Sequence, residues 1–185
     1  SVIVDIDCYG NNNGSIDMTI TGGTSPYTKY WSNSTSTVMS DTTEDVSNQY
    51  ADDYTILVTD NNGCTETLVS TIDQPAAPLA ITGIVNDVNC YGLNDGAIDA
   101  TVTGGTINYS YSWSSGQGTE DLNGVVSGDY TLDVTDLNGC TESATFTIIQ
   151  PAEPLNVITF TTDVLCFGGT TGSIDSEVPG GTSPY

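Results

Sequence analysis

Apolar residues recur along this chain at every second position, in short runs set between glycine and asparagine turns. Ile16, Met18 and Ile20 alternate with Ser15, Asp17 and Thr19, and Ile98, Ala100 and Val102 alternate in the same way further on. Tyr54, Ile56 and Val58 repeat the rule, as do Tyr130, Leu132 and Val134. A two-residue period puts one side of an extended strand in a core and the other in water. Asn62-Gly63 and Asn138-Gly139 fall between consecutive strands, the strongest short-range hairpin signal. No segment carries a capped 3.6-residue apolar stripe, so helices are not expected. The pattern predicts about six or seven short strands per structural copy, an antiparallel β-sandwich of immunoglobulin-like type.

Self-similarity at a fixed interval marks a repeat architecture. Cys64 and Cys140 lie 76 positions apart, as do Gln74-Pro75 and Gln150-Pro151, whereas Trp31 and Trp113 lie 82 apart. Cys8, Cys90 and Cys166 are separated by 82 and then by 76 positions. The period is therefore 76, and the first copy carries six extra residues. They fall in the Ser/Thr-rich stretch 33–41, which reads as a loop, where added length costs little. Residues 1–77 form the first copy, 78–153 the second, and 154–185 the N-terminal part of a third. Half a sandwich cannot bury its core, so the third copy is expected to be completed by its own chain or by another. The connectors Gln74–Leu79 and Gln150–Leu155 each hold two prolines, which restrict φ and predict semi-rigid links in an extended rod.

Charge narrows the partners. One basic residue, Lys29, stands against 24 carboxylates, with no histidine and a net charge of −23. Nucleic acid is excluded, because affinity for phosphates comes from Lys and Arg. An anionic membrane surface would repel the chain, and no apolar run is long enough for direct insertion. Three readings account for the acidity: a self-repelling surface that keeps a filament soluble, calcium binding, and adaptation to saline water. Calcium takes about six to eight oxygen ligands. Asp5, Asp7, Asp87 and Asp95 beside the cysteine loops, with Asp60 and Asp136 at the hairpin turns, are the candidates. No stretch matches the calcium loop that ends in Glu, and the pattern requires no cofactor.

Each complete copy holds two cysteines, so the expected disulfides are Cys8–Cys64 and Cys90–Cys140, with the partner of Cys166 outside this window. Cys8 precedes the second strand and Cys64 follows a turn, so such a staple joins loops or strand ends instead of pinning the two sheets. Closing a loop of roughly fifty residues stabilises by about 4 kcal/mol in the chain-entropy model. Persistent disulfides imply an oxidising compartment. Trp31, Trp113, Tyr54 and Tyr130 are the expected core aromatics.

Catalysis finds no constellation. Histidine is absent, and Lys29 becomes Tyr111 in the second copy. The acidic positions recur with the module, whereas an active site would be a single departure from it, so no catalytic residue is assigned and no enzyme is expected. Asp41-Thr42-Thr43 resembles a bacterial O-glycosylation motif, which makes Thr42 a glycosylation candidate.

The joined motifs Cys-Tyr-Gly, Gly-Ser-Ile-Asp, Gly-Gly-Thr-Ser-Pro-Tyr, Trp-Ser and Asp-Tyr-Thr-Ile-Leu-Val-Thr-Asp-Asn-Asn-Gly-Cys-Thr resemble the SprB-type repeat of Bacteroidetes gliding-motility adhesins and related large cell-surface proteins. The resemblance covers both full copies and the third fragment. Departures are few: Ile107-Asn108 replace Ser-Pro, and Pro179 interrupts the third copy's second strand. The resemblance implies extracellular display at the cell surface after type IX secretion, in adhesion or gliding motility. The expected role is a stalk or filament segment of a large adhesin. Its partners would be neighbouring repeats of the same chain, and surface glycans or motility machinery. The rival is a carbohydrate- or surface-binding module in which Tyr30, Tyr111 and loop aromatics contact the ligand.

Overall fold

The computed structural model describes residues 1–36 and 43–184. Among these residues the regular elements are strands. The first copy forms β1 (Val2–Val4), β2 (Gly14–Asp17), β3 (Thr28–Ser32), β4 (Val46–Gln49), β5 (Asp52–Thr59) and β6 (Thr65–Ile72). The second forms β7 (Ala80–Asn86), β8 (Gly96–Thr103), β9 (Ser110–Trp113), β10 (Leu122–Val125), β11 (Gly128–Thr135) and β12 (Thr141–Ile148). The third forms β13 (Ile158–Thr162) and β14 (Ser173–Glu177). β14 stops short of Pro179, which has no N–H to give a ladder.

Copy one pairs its strands in the orders β1-β2-β4 and β3-β5-β6; copy two repeats this as β7-β8-β10 and β9-β11-β12. First, second and fourth strands in one sheet, with third, fifth and sixth in the other, is the connectivity of an immunoglobulin-like sandwich. The expected all-β fold class is therefore observed. Tyr54 Oη donates to the Tyr50 carbonyl at 2.9 Å, and Tyr130 Oη to that of Val126 at 2.9 Å. Each is the tyrosine corner of such folds, a Tyr on the fifth strand tied back to the preceding turn.

The alternation read from the sequence is the alternation of burial. Ile16 and Val46 from one sheet of copy one meet Trp31, Tyr54, Ile56 and Ile72 from the other in a single buried cluster. Ile16 and Ile56 stand where immunoglobulin domains place their core disulfide, so apolar packing takes the place of that bond. Copy two buries Ile98, Leu122, Trp113, Leu132 and Ile148 at the matching positions. Each indole N–H finds a carbonyl, Trp31 that of Thr43 at 3.2 Å and Trp113 that of Thr119 at 3.0 Å. Trp113 also packs against Phe146 with ring centroids 6.0 Å apart.

Two expectations are corrected. Tyr130 is half-buried and lies outside the core, whereas Tyr54 is buried. Asn33, which opens the inserted loop, lies against the Tyr54 phenol, and burial holds that phenol above its ordinary pKa. The counterpart of Asn33 in copy two is the shorter Ser115, so Tyr130 is less covered. Second, β2 ends at Asp17, before Met18 and Ile20. Their N–H groups donate instead to the carboxylates of Asp45 at 2.8 Å and Glu44 at 2.7 Å, which replace a strand's carbonyls.

The chain gathers into two compact units. One holds residues 1–80 with 102–110 and 135–142; the other holds 81–101, 111–134 and 143–185. The first unit thus takes two turn segments from the second copy, a division different from the sequence blocks 1–77, 78–153 and 154–185.

Truncating Trp31 to Ala should lower unfolding stability by about 3–5 kcal/mol, the range for emptying a buried aromatic site. Tyr30→Ala, one residue away on the exposed face, should change it by less than about 0.5 kcal/mol. Urea unfolding of the oxidised protein followed by far-UV circular dichroism distinguishes the two.

Candidate functional site

The motifs that repeat most faithfully outside the core build two kinds of loop, at opposite ends of the β5–β6 hairpin and its counterpart. The first is the cysteine loop between the first two strands of a copy. Asn11 N donates to the Cys8 carbonyl at 3.0 Å, and Gly10 takes φ +81°. A positive φ at the third residue of a four-residue turn demands glycine, which explains Cys-Tyr-Gly. Gly10 N then donates to Gln74 Oε1 at 2.8 Å, just past the end of β6. Copy two repeats both contacts, with Leu93 N on the Cys90 carbonyl and Gly92 N on Gln150 Oε1 at 2.9 Å. The Gln of Gln-Pro-Ala is thus the clasp of the cysteine loop.

The second kind is the Asn-Gly-Cys turn. Gly63 N donates to the Asp60 carbonyl and Asp60 N to the Cys64 carbonyl, with Gly63 at φ +85°. Only the glycine of this turn has positive φ, so the connection is a three-residue loop closed by a glycine bulge, not the two-residue turn that Asn-Gly most often marks. The Asp60 carboxylate organises it. Its Oδ1 accepts from Asn62 N at 2.9 Å and Cys64 N at 2.8 Å, and its Oδ2 from Thr24 N at 3.0 Å. Asp136 does the same for Asn138 N, Cys140 N and Thr106 N at 2.9, 2.9 and 2.8 Å. Val-Thr-Asp, Asn-Gly-Cys and Gly-Gly-Thr are therefore one composite structure. Backbone donors, that of Cys64 foremost, hold the Asp60 pKa below its ordinary value.

Within the first unit these two loops meet. Cys8 is bonded to Cys140, with Cα atoms 5.7 Å apart, and Asn138 Nδ2 donates to the Asp7 carbonyl at 3.0 Å. The connector seals the junction: Gly105 N donates to the Ala77 carbonyl at 2.9 Å. A Cβ on Gly104 would stand 1.9 Å from the Pro78 carbonyl oxygen, so the first glycine of Gly-Gly-Thr is the seat of the connector.

This overturns the expected pairs Cys8–Cys64 and Cys90–Cys140. The loop of Cys8 is clasped by Gln74, beyond the far end of β6 from Cys64. The eight residues of β6 span about 26 Å at ~3.3 Å each, several times what a disulfide can bridge. Cys64, Cys90 and Cys166 are free thiols, all exposed. The Cys8–Cys140 bond joins a loop of the first copy to a turn of the second and does not cross between the two sheets of one copy.

Each of the six aspartates named as calcium candidates accepts hydrogen bonds from backbone or side-chain N–H groups. Asp5 accepts from Asp73 N and Asp87 from Ile149 N, both at 2.9 Å. Asp7 accepts from Asn11 Nδ2 and Cys8 N, and Asp95 from Asn89 Nδ2 and N. Side-chain amides, Asn11 and Asn89 respectively, are the main cause of the lowered pKa of Asp7 and Asp95. Among the described residues no three metal-ligating side chains converge. Thr42 lies outside the described residues. Sequence reasoning missed Asp60 and Asp136 as turn anchors, although their fixed offset of four before Cys64 and Cys140 was the visible signal.

Copy one has a cleft of about 440 Å³ lined by Met18, Ile20, Tyr27, Val58 and Leu68 among others.

Fold and site together define a tandem β-sandwich module whose loop chemistry is spent on joining successive copies. The SprB repeat family model matches residues 1–36, 82–118 and 158–185, more than half of the chain. The chain belongs to the SprB repeat family. Such repeats are typical of cell-surface proteins, and among the described residues no helix is long and apolar enough to cross a membrane. No curated protein matches. Among solved structures the chain is similar to the amphioxus IgVJ-C2 molecule at 10% identity and TM-score 0.35, covering 78% of this chain and 99% of that one.

Replacing Asp60 with Ala should destabilise the protein in a pH-dependent way. A carboxylate whose folded pKa lies below the ordinary 3.8 contributes stability above that value, and the contribution disappears as pH falls through the lowered pKa. The stability gap between the parent chain and Asp60→Ala should be full at neutral pH and should close in strong acid. Urea unfolding across the acid range measures it.

Proposed function

We propose that this chain is a stalk or filament segment of a large secreted cell-surface adhesin, serving surface adhesion or gliding motility. The observation that carries the reading is the Cys8–Cys140 bond, which closes 132 positions of sequence and ties the first copy's loop to the second copy's turn. A module that must transmit tension gains from such a tie, because the intervening chain is shielded from extension. The uniform acidity suits the same role, since like-charged surfaces keep a long array soluble and unassociated. The family resemblance supports export by type IX secretion and an extracellular location. On this reading the segment has no catalytic role, its contacts are neighbouring repeats, and ligand is gripped elsewhere in the parent protein.

Single-molecule stretching between the chain ends tests the mechanical part. In the oxidised protein the stapled stretch should stay hidden, and reductant should release about 450 Å of extra contour at ~3.4 Å per residue. Equal contour lengths with and without reductant would defeat it. A glycan array probed with the same chain tests the rest. Binding that is lost on substituting Tyr30 would favour the rival glycan-binding module.

A further inference from the structure

The first unit contains a finished junction, and the second contains an unfinished one built from the same positions. Around the Cys8–Cys140 bond lie Asp7, Leu79, Gly105 and Thr106 with the turn that carries Asn138. In the second unit the counterparts of the first four, Asn89, Leu155, Gly181 and Thr182, line a cleft of about 400 Å³ together with Cys90. The connector is seated identically: Gly181 N donates to the Glu153 carbonyl at 3.0 Å, and a Cβ on Gly180 would stand 2.1 Å from the Pro154 carbonyl oxygen. The part without a counterpart is an Asn-Gly-Cys turn.

A second observation points the same way. The strands that hold this cleft belong to a half-sandwich. Ile174 is 76% exposed, while its counterparts Ile16 and Ile98 are fully buried. Val164 is likewise exposed, where Ile6 and Val88 are core residues. In the complete copies Gly14 and Gly96 lie close against Ile72 and Ile148 of the sixth strand, a neighbour Gly172 does not have. The strand set that would cover this face begins its sixth strand directly after an Asn-Gly-Cys turn, as β6 and β12 do.

We propose that Cys90 is the open half of a second staple, and that the cleft beside it seats an Asn-Gly-Cys turn on strands completing the third copy. The rule is that the loop cysteine of each copy bonds the turn cysteine of the copy after it. Under this rule Cys64, an exposed thiol on an Asn-Gly-Cys turn, has no partner among the loop cysteines Cys8, Cys90 and Cys166. Neighbouring copies are joined twice, by the connector peptide and by the disulfide, so cleavage of one connector does not part the array. Forming each bond removes two protons and two electrons from two thiols. A small disulfide such as oxidised glutathione accepts them and is reduced to two thiols.

The test is the chain extended after Tyr185 by a second copy of residues 110–153, refolded with oxidised glutathione and mapped by non-reducing peptide analysis. Cys90 should be bonded to the appended turn cysteine, with Cys8–Cys140 retained and Cys64 and Cys166 free. In the Cys90→Ser variant the appended cysteine should become a free thiol. A bond from the appended cysteine to Cys166, or a Cys90 that stays free in a chain whose appended strands protect Ile174 from exchange, would overturn the proposal. A second measurement needs no extension. In Cys8→Ser of the 185-residue chain, Cys140 should be free, and a Cys90–Cys140 bond would overturn the rule.

Discussion

The length of the β5–β6 hairpin constrains everything outside the core. Eight residues on each strand carry the chain from one end of the sandwich to the other, so the Asn-Gly-Cys turn and the cysteine loop cannot meet within a copy. Each loop is then free to bond only what lies beyond its own end. A staple placed there adds nothing to the packing of one sandwich and acts on the connection between two. Each sandwich is therefore held without a disulfide of its own, with apolar residues where immunoglobulin domains use sulfur.

The acidic residues take on a different meaning in this frame. Several of them are structural acceptors that stand in for missing backbone partners. Asp60 and Asp136 satisfy the N–H groups of tight turns, and Asp45 and Glu44 satisfy those of the chain beyond β2. Buried or half-buried N–H groups without partners are costly, and a carboxylate meets two or three at once. The net charge follows in part from this use. Solvated carboxylates on the outward faces of strands account for much of the remainder, and they keep sandwich edges from pairing with one another.

The repeat unit in sequence and the compact unit in space are offset. The Gly-Gly-Thr and Asn-Gly-Cys segments of the second copy pack with the cysteine loop and connector of the first. The glycines explain how. At Gly104 and at Gly180 the carbonyls of Pro78 and Pro154 occupy the space a side chain would need. A motif that reads as a turn signal in the sequence is the socket of a connector in the fold.

Strand positions, the buried face and the immunoglobulin-like class were legible in the sequence, because a two-residue period and a tryptophan at matching sites leave few alternatives. Trp31, Trp113 and Tyr54 lie where alternation puts them, and Tyr130 departs where the smaller Ser115 stands in place of Asn33. The cysteine count was equally plain, but the pairing was not. Repeat bookkeeping assigns two cysteines to one copy, while a disulfide obeys distance, and distance depends on which end of a sandwich each loop occupies. The conspicuous acidity left the roles of Asp60 and Asp136 open for the same reason. Local pattern determines which face of a strand is buried, since that depends on the neighbours in sequence. Which loops touch is decided by how strands of a given length stack, and only the folded chain contains that.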